Sequence, residues 1–291
     1  MAHQKTLAET ATYSGIGLHT GSLTTLLFQP APPGHGIAFV RSDVPDSAPI
    51  PAVVDRVVDV SRGTTLEQDG LRVHTVEHVL AAVTSLGITN LLIAADGDEM
   101  PIADGSSLPF VDALRKAGVT VQSGEEAPAV RLNKPIKYQD GDVWVRGEPA
   151  MHFEAKITIS FPHPVIGTQS ASIKVTPKAF TEEIGPARTF CFLHEVKALK
   201  QMGLIKGGSI ENAIVIGEDG ILNEDGLRFE NEFARHKLLD LIGDLSLVGH
   251  PLIGRFEAHK SGHGSHVAFA RMIRQAVADN NGAVLEAPAA K

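Results

Sequence analysis

His236, Asp240 and Asp244 follow one another at intervals of four. At ~100° per residue, that spacing stacks them on one side of a helix over Phe229–Asp244, while Leu238, Leu241, Ile242 and Leu245 gather on the other. An imidazole and a carboxylate one turn apart can hold one metal ion together. A polar stripe opposite an apolar one is also what a solvated helix face shows, so the pair needs partners.

A second stretch supplies candidates. His74, Glu77 and His78 form His-x-x-Glu-His. A helix over Val76–Leu86 puts these groups opposite Val79, Leu80, Val83 and Leu86, with Gly87 as its stop. Two histidines and a carboxylate leave a fourth metal position open for water, the arrangement of a hydrolytic zinc site. Glu77, beside a ligand candidate, is placed to act as general base. The same string is the inverted-zincin peptidase signature, in which His74 and His78 would be the ligands. A surface helix carrying two histidines is the bland alternative.

Ser261-Gly262-His263-Gly264-Ser265-His266 is glycine-flanked and reads as an exposed loop whose His263 could act as an acid or stabilise an oxyanion. Gly15–Gly21 is glycine-dense and fits a tight strand connection or an anion cradle. Arg188-Thr189-Phe190-Cys191-Phe192 offers a hydroxyl and two aromatics for a pocket wall. Cys191 is the one cysteine, so no intramolecular disulfide can form; it reads as a packing residue.

These residues must be positioned by strands and helices. Strands are expected at Thr24–Gln29, Gly36–Arg41 and Ala52–Val60, and a hairpin at Thr64–Gln68 and Leu71–Thr75 around Asp69-Gly70. Asn90–Ala95 is a buried strand and Leu108–Ala117 a second helix. Gln122–Ala129 is polar and aperiodic, the best linker candidate. It divides the chain into an N-terminal domain (1–123), a C-terminal domain (129–280) and a flexible tail (281–291). The second part shows strands at Val130–Tyr138, Val143–Arg146, His152–Phe161, Ser170–Val175, Asn212–Gly217 and Leu252–His259. Helices fit Pro177–Ile184, capped by Thr176, and His194–Met202. Thr75–His78 and Phe233–His236 each open a helix that ends at glycine and leads into a strand, a weak internal symmetry.

With 291 residues, 43% hydrophobic and 21% charged, the chain is an ordinary globular protein. A net charge of −8 without a basic run speaks against nucleic acid. No stretch approaches the ~18 apolar residues of a membrane span, and the N-terminus lacks the apolar core of a signal peptide. A soluble, cytoplasmic protein is expected.

The pieces occur together in one family. Gly-Ile-Gly-Leu-His-Thr-Gly (15–21), Thr-Val-Glu-His (75–78), Ala-Arg-Thr-Phe (187–190), Gly-Gly-Ser-Ile-Glu-Asn (207–212), Arg-His-Lys-Leu-Leu-Asp-Leu-Ile-Gly-Asp (235–244) and Ser-Gly-His (261–263) resemble UDP-3-O-acyl-N-acetylglucosamine deacetylases, in order from about residue 3 to 272. These are the zinc enzymes of the committed step of lipid A synthesis in Gram-negative bacteria. The resemblance implies His78, His236 and Asp240 as zinc ligands, with His74 outside the motif. It implies Glu77 as general base, His263 as general acid, Thr189 as oxyanion donor and Asp244 as the group that orients His263. His19, Phe190, Phe192, Lys237 and Lys260 match substrate positions. The implied fold is α+β: two similar α/β sandwich domains, each a mainly antiparallel sheet on two helices, with the site between them. The helix at Leu193–Met202 would fall in an insert that forms the acyl-chain tunnel. The expected substrate is UDP-3-O-acyl-N-acetylglucosamine with water, and the expected state a monomer. The donor set also suits Fe²⁺. One departure is Ser265-His266, where an asparagine is expected nearby. A metallopeptidase using His74 and His78, and a non-catalytic sugar-nucleotide-binding protein, are the alternatives.

Overall fold

The computed structural model describes residues 3–286. In the first half, Leu23–Pro30 turns Thr24, Leu26 and Phe28 inward, the period of two of a half-buried strand. It lies between antiparallel Ala11–Ile16 and Leu91–Ala95; the latter pairs in parallel with Ile37–Arg41, and Ile50–Pro51 closes the edge. Helices α1 (Glu77–Ser85) and α2 (Leu108–Lys116) pack on each other, and α2 packs on the Ala11–Ile16 strand. A small antiparallel meander, Val57–Asp59, Thr65–Gln68 and Leu71–Val73, completes this half together with the antiparallel pair His3–Leu7 and Val119–Glu126. The expected hairpin is present: Asp69 and Gly70 have φ of 52° and 81°, the signature of a type I′ turn.

In the second half, Leu252–His259 is central to a seven-stranded sheet. Phe153–Ser160 pairs with it in parallel and carries Thr168–Lys174 antiparallel at the edge. On its other side lie Val143–Glu148, paired in turn with Ile136–Asp140, and Ala129–Leu132. A short α3 (Pro177–Ala179), N-capped by the Thr176 hydroxyl, continues as a π-helical turn over Phe180–Ile184. Then come α4 (Leu193–Gln201), α5 (Glu232–Leu245) and α6 (His263–Ala278). α5 covers the Phe153–Ser160 and Thr168–Lys174 strands, and α6 the strands at 136–148 and 283–286. Every paired strand has its partner in its own half, among the described residues.

The halves meet where α5 crosses α1. Gly243 lies so close to the Glu77 backbone that a Cβ there would collide with the Glu77 carbonyl. Absence of a side chain at this point lets one helix carrying Glu77 and His78 lie against another carrying His236, Asp240 and Asp244. α5 is therefore buried on nearly all sides rather than half-solvated.

Several elements differ from the sequence expectation. Ala52–Val60 is interrupted by a 3₁₀ turn at Val54–Arg56. Pro135, which can donate no ladder hydrogen bond, lies in the break between the strands Ala129–Leu132 and Ile136–Asp140. The polar stretch proposed as a linker is mostly strand, leaving only Ala127 and Pro128 between Val119–Glu126 and Ala129–Leu132. Gln122 is tied in by its amide, which donates to the Ala31 carbonyl and accepts from Asn90. Residues 283–286, assigned by sequence to the flexible tail, form a strand antiparallel to Ala129–Leu132; the remainder of that tail, 287–291, lies outside the described residues. His263 opens α6 rather than sitting in an exposed loop, and Gly262 and Ser265 close the helix start with two mutual hydrogen bonds.

Candidate active site

His78 from α1 and His236 and Asp240 from α5 converge at the crossing, each nearly fully buried. Asp240 Oδ1 stands 3.4 Å from His236 Nε2 and 3.6 Å from His78 Nε2, and the two rings meet edge to face at 5.0 Å. Asp240 Oδ1 is buried and has no hydrogen-bond partner. Atoms held ~2.0–2.1 Å from a single tetrahedral ion stand ~3.3–3.4 Å apart, so the spacing fits a shared divalent cation. The tautomer fits too. His236 Nδ1 faces the Ala187 carbonyl at 3.1 Å and so carries the proton, which leaves Nε2 its lone pair. Burial pushes His236 down to about 3, so the ring is neutral and ready to ligate. Burial alone would raise Asp240, but the Lys237 ammonium beside it holds the carboxyl well below its usual range. Lys237 Nζ bonds the other oxygen, Oδ2, at 2.9 Å.

His74 takes no part in this cluster. Thr75, in the left-handed region at φ 59°, turns the chain between His74 and α1. His74 thus sits in a strand bridge to Glu99, its Nδ1 2.9 Å from the Thr65 hydroxyl. The His-x-x-Glu-His string does not lie on one helix.

One turn along α5, Asp244 is completely buried. Its Oδ1 accepts from the Thr64 hydroxyl at 2.6 Å, and its Oδ2 lies 2.8 Å from Nδ1 of both His263 and His266. Burial alone would lift this carboxyl, but His263 and the hydrogen bonds take it down to about 2. For His263, burial works toward the neutral form and is overcome by Asp244, which raises the ring to about 9. Glu77, 3% exposed, accepts from the Thr64 amide at 2.9 Å. Burial raises its pKa, against the opposing pull of His263 and His78. Two metal-competent imidazoles, a buried carboxylate and a cationic imidazole therefore surround one crossing.

The remaining sequence candidates lie outside these clusters. Thr189 is held by its backbone to Gly105 and Ile214, two residues from the Ala187 carbonyl that fixes His236. Phe190 packs edge to face on Phe233 at 5.0 Å, and Lys237 Nζ lies 5.7 Å from the centre of its ring. Phe192 stands among Phe161, His163 and His194. The His19 amide donates to Glu99, and its carbonyl accepts from Lys206, so the glycine-dense loop of the first half is tied to the second half. Lys260 is partly exposed and pairs with Asp142 at 3.2 Å.

Sequence reasoning missed three participants. Thr64 holds both Glu77 and Asp244, and nothing in Gly63-Thr64-Thr65 signals that. Glu232 accepts from the Arg188 backbone and guanidinium, bracing the segment that presents Ala187 and Thr189. His266 was noticed only as a departure from the family pattern; the signal that could have found it is its place on the first turn of α6, one turn from His263.

A family model described as UDP-3-O-acyl N-acetylglycosamine deacetylase matches residues 4–275. A protein named UDP-3-O-acyl-N-acetylglucosamine deacetylase from Myxococcus xanthus (strain DK1622) is 49% identical over 93% of this chain and 86% of its own length. A protein of the same name from Syntrophotalea carbinolica is 48% identical over 90% of this chain and 85% of its own. Another from Saccharophagus degradans is 45% identical, covering 94% and 91%. The six sequence motifs, the buried His78–His236–Asp240 cluster and these matches agree: the chain belongs to the UDP-3-O-acyl-N-acetylglucosamine deacetylase family.

Proposed function

We propose that this chain hydrolyses the acetamide of UDP-3-O-acyl-N-acetylglucosamine, releasing acetate in the committed step of lipid A synthesis. His78, His236 and Asp240 hold a Zn²⁺ ion, a place that Fe²⁺ also suits. Bound there, the metal supplies a Lewis acid and makes water nucleophilic at neutral pH. Glu77 takes a proton from the attacking water; its burial makes it a stronger base than an ordinary carboxylate. Thr189 donates to the developing oxyanion. His263, protonated at neutral pH and oriented by Asp244, gives its proton to the leaving amine. His19, Phe190, Phe192, Lys237 and Lys260 line the sugar-nucleotide's approach, and α4 borders the acyl chain.

The observation that carries this reading is the buried, unpartnered Asp240 Oδ1 facing two imidazole Nε2 atoms. A carboxylate oxygen left so is costly unless a cation completes it. We also propose two domains that meet between Glu126 and Ala129, the second including the strand at 283–286, with the site between them; the confinement of strand pairing to each half supports this. The protein acts as a cytoplasmic monomer. No helix among the described residues is long and apolar enough to cross a membrane.

The test is metal content together with acetate release from UDP-3-O-acyl-N-acetylglucosamine, for wild type, His236→Ala and Glu77→Gln. His236→Ala is expected to lose both metal and activity. Glu77→Gln is expected to keep metal and lose roughly 10²–10⁴-fold in rate. Equal acetate release by wild type and His236→Ala would overturn the assignment.

A further inference from the structure

Nothing in the proposed reaction uses His266, yet its side chain is fully buried and placed on the same carboxylate as the proton donor. Asp244 Oδ2 lies 2.8 Å from His263 Nδ1 and 2.8 Å from His266 Nδ1, while Thr64 occupies Oδ1. His266 Nε2 faces the Ser261 hydroxyl at 2.9 Å. An imidazole buried only to fill space would carry a desolvation cost that an aliphatic side chain avoids. The Asp244 carboxylate defines the state of its Nδ1. A nitrogen facing a carboxylate must carry the proton, so Nδ1 is N–H. Nε2 pairs with the Ser261 hydroxyl, and burial lowers the ring's pKa, which favours the neutral form with Nε2 as acceptor.

We propose that His266 is a positioning residue of the reaction: its Nδ1–H competes with His263 for Asp244 Oδ2 and so limits how tightly Asp244 holds the His263 proton. This rests on the reading of His263 as the proton donor. A buried carboxylate oxygen with a single imidazolium partner binds that proton strongly, and a strongly held proton is slow to transfer. A second N–H on the same oxygen spreads the charge and weakens the first bond. The groups facing His263 are Glu77 from α1, Asp240 and Asp244 from α5, Thr64 from the meander and His266 from α6 itself. Those facing His266 are Asp244 and Asp240 from α5, His263, and Ser261.

Two substitutions separate the two nitrogens. His266→Asn puts an amide N–H where Nδ1 was and gives up Ser261. His266→Gln reaches toward Ser261 and leaves Asp244 with one imidazole. On the metal-loaded enzyme, His266→Gln is expected to move the basic limb of kcat/KM upward by roughly 0.5–1 pH unit and to lower kcat at neutral pH about 3–10-fold. His266→Asn is expected to keep the limb at its wild-type position. Equal shifts in the two variants, or no shift in either with metal content unchanged, would overturn the proposal. If His266→Gln does not fold, ¹⁵N-histidine NMR of the wild-type holoenzyme decides. A neutral Nδ1–H tautomer at His266 supports the proposal, and an Nε2–H tautomer or a cation at pH 7 overturns it. Failure of the underlying reading is seen separately: His263→Ala with unchanged kcat and basic limb removes His263 as donor, whatever the His266 ring shows.

Discussion

Asp240 and Asp244 are one turn apart on α5, both buried, and each is met by two imidazoles, yet they are completed in opposite ways. Around Asp244 every neighbour brings a hydrogen: one hydroxyl and two Nδ1–H groups. Around Asp240 Oδ1 no hydrogen bond is made, and His236 brings a lone pair, because it has spent its N–H on the Ala187 carbonyl. Burying a carboxylate demands positive compensation, and the two sites obtain it from different sources. Asp244 gets it from a cationic His263 within the protein; Asp240 gets part from Lys237 and leaves one oxygen for an external cation. Ligand identity alone would mark both clusters as metal sites. The position of the protons distinguishes them.

The largest expected effect breaks or confirms that contrast directly. Asp240→Asn should abolish stoichiometric metal binding, and activity with it. Asp244→Asn should keep the metal and lose about 10²–10⁴-fold in kcat, since it removes the orientation and charge of His263. Elemental analysis beside acetate release reads both. Comparable metal loss in the two variants would show that protonation pattern does not separate the clusters.

The contrast also has a pH signature in stability. His263 is raised to about 9 from 6.5, so its contribution is fully present below pH ~6.5 and lost as pH rises through about 9. Asp244 is lowered to about 2 from 3.8, so its contribution is present above pH ~4 and lost as pH falls through about 2. The stability gap between wild type and Asp244→Asn, both metal-free, should be widest between pH ~4 and ~6.5 and narrow on either side. Denaturant unfolding across pH measures it, and a gap independent of pH would leave the His263–Asp244 pair without its assigned role.

A smaller effect, of about 1–3 kcal/mol, is expected at the contact that the two centres share. Gly243→Ala presses a methyl group against the Glu77 carbonyl. The helices must separate, which moves Glu77 and His78 away from Asp244 and Asp240 together. Metal affinity and kcat should fall in parallel with stability. A variant that loses stability while keeping both would show that the site tolerates a wider crossing.

Much of the site was legible because its residues cluster in short strings. His236, Asp240 and Asp244 declared a helix face by spacing alone, and Glu77-His78 announced a second. What sequence could not give was the partner of each face. Opposite an apolar stripe, the polar one reads as solvated, and only the α1–α5 crossing shows that it is buried. Gly243 determines that crossing, yet in the sequence it is one glycine in a helical pattern. Thr64 was equally silent, because a residue whose amide and hydroxyl bond partners 13 and 180 positions away leaves no periodic trace. The α6 start differs from the sequence expectation because glycines on both sides of His263 suggest a loop, whereas the Ser265 hydroxyl, bonded to the Gly262 amide and carbonyl, begins a helix. Strand positions came through well at Thr24–Gln29, His152–Phe161 and Leu252–His259, and failed at His3–Leu7, Ala11–Ile16, Val54–Arg56 and in the polar strand near Gln122, which hydrogen-bond partners rather than hydrophobicity hold in place.

The smallest effect is expected at Lys260, and it sharpens the comparison by contrast with Lys237. Both lysines pair with an aspartate, at 3.2 Å for Lys260–Asp142 and 2.9 Å for Lys237–Asp240. Asp142 is 84% exposed and Asp240 2%, so bulk water compensates the first carboxylate and not the second. An exposed pair of this kind contributes ~0–1 kcal/mol. Lys260→Ala should therefore leave metal content, kcat and unfolding midpoint near wild type, and raise KM about 2–10-fold through a lost substrate contact. Lys237→Ala should act differently, because it removes the hydrogen bond that Lys237 Nζ gives Asp240 Oδ2 and leaves a buried carboxylate with more negative charge at the metal cluster. Its metal should bind more tightly while kcat falls. If Lys260→Ala changed metal affinity as well, the exposed rim and the buried centre would be coupled more strongly than a solvated ion pair allows.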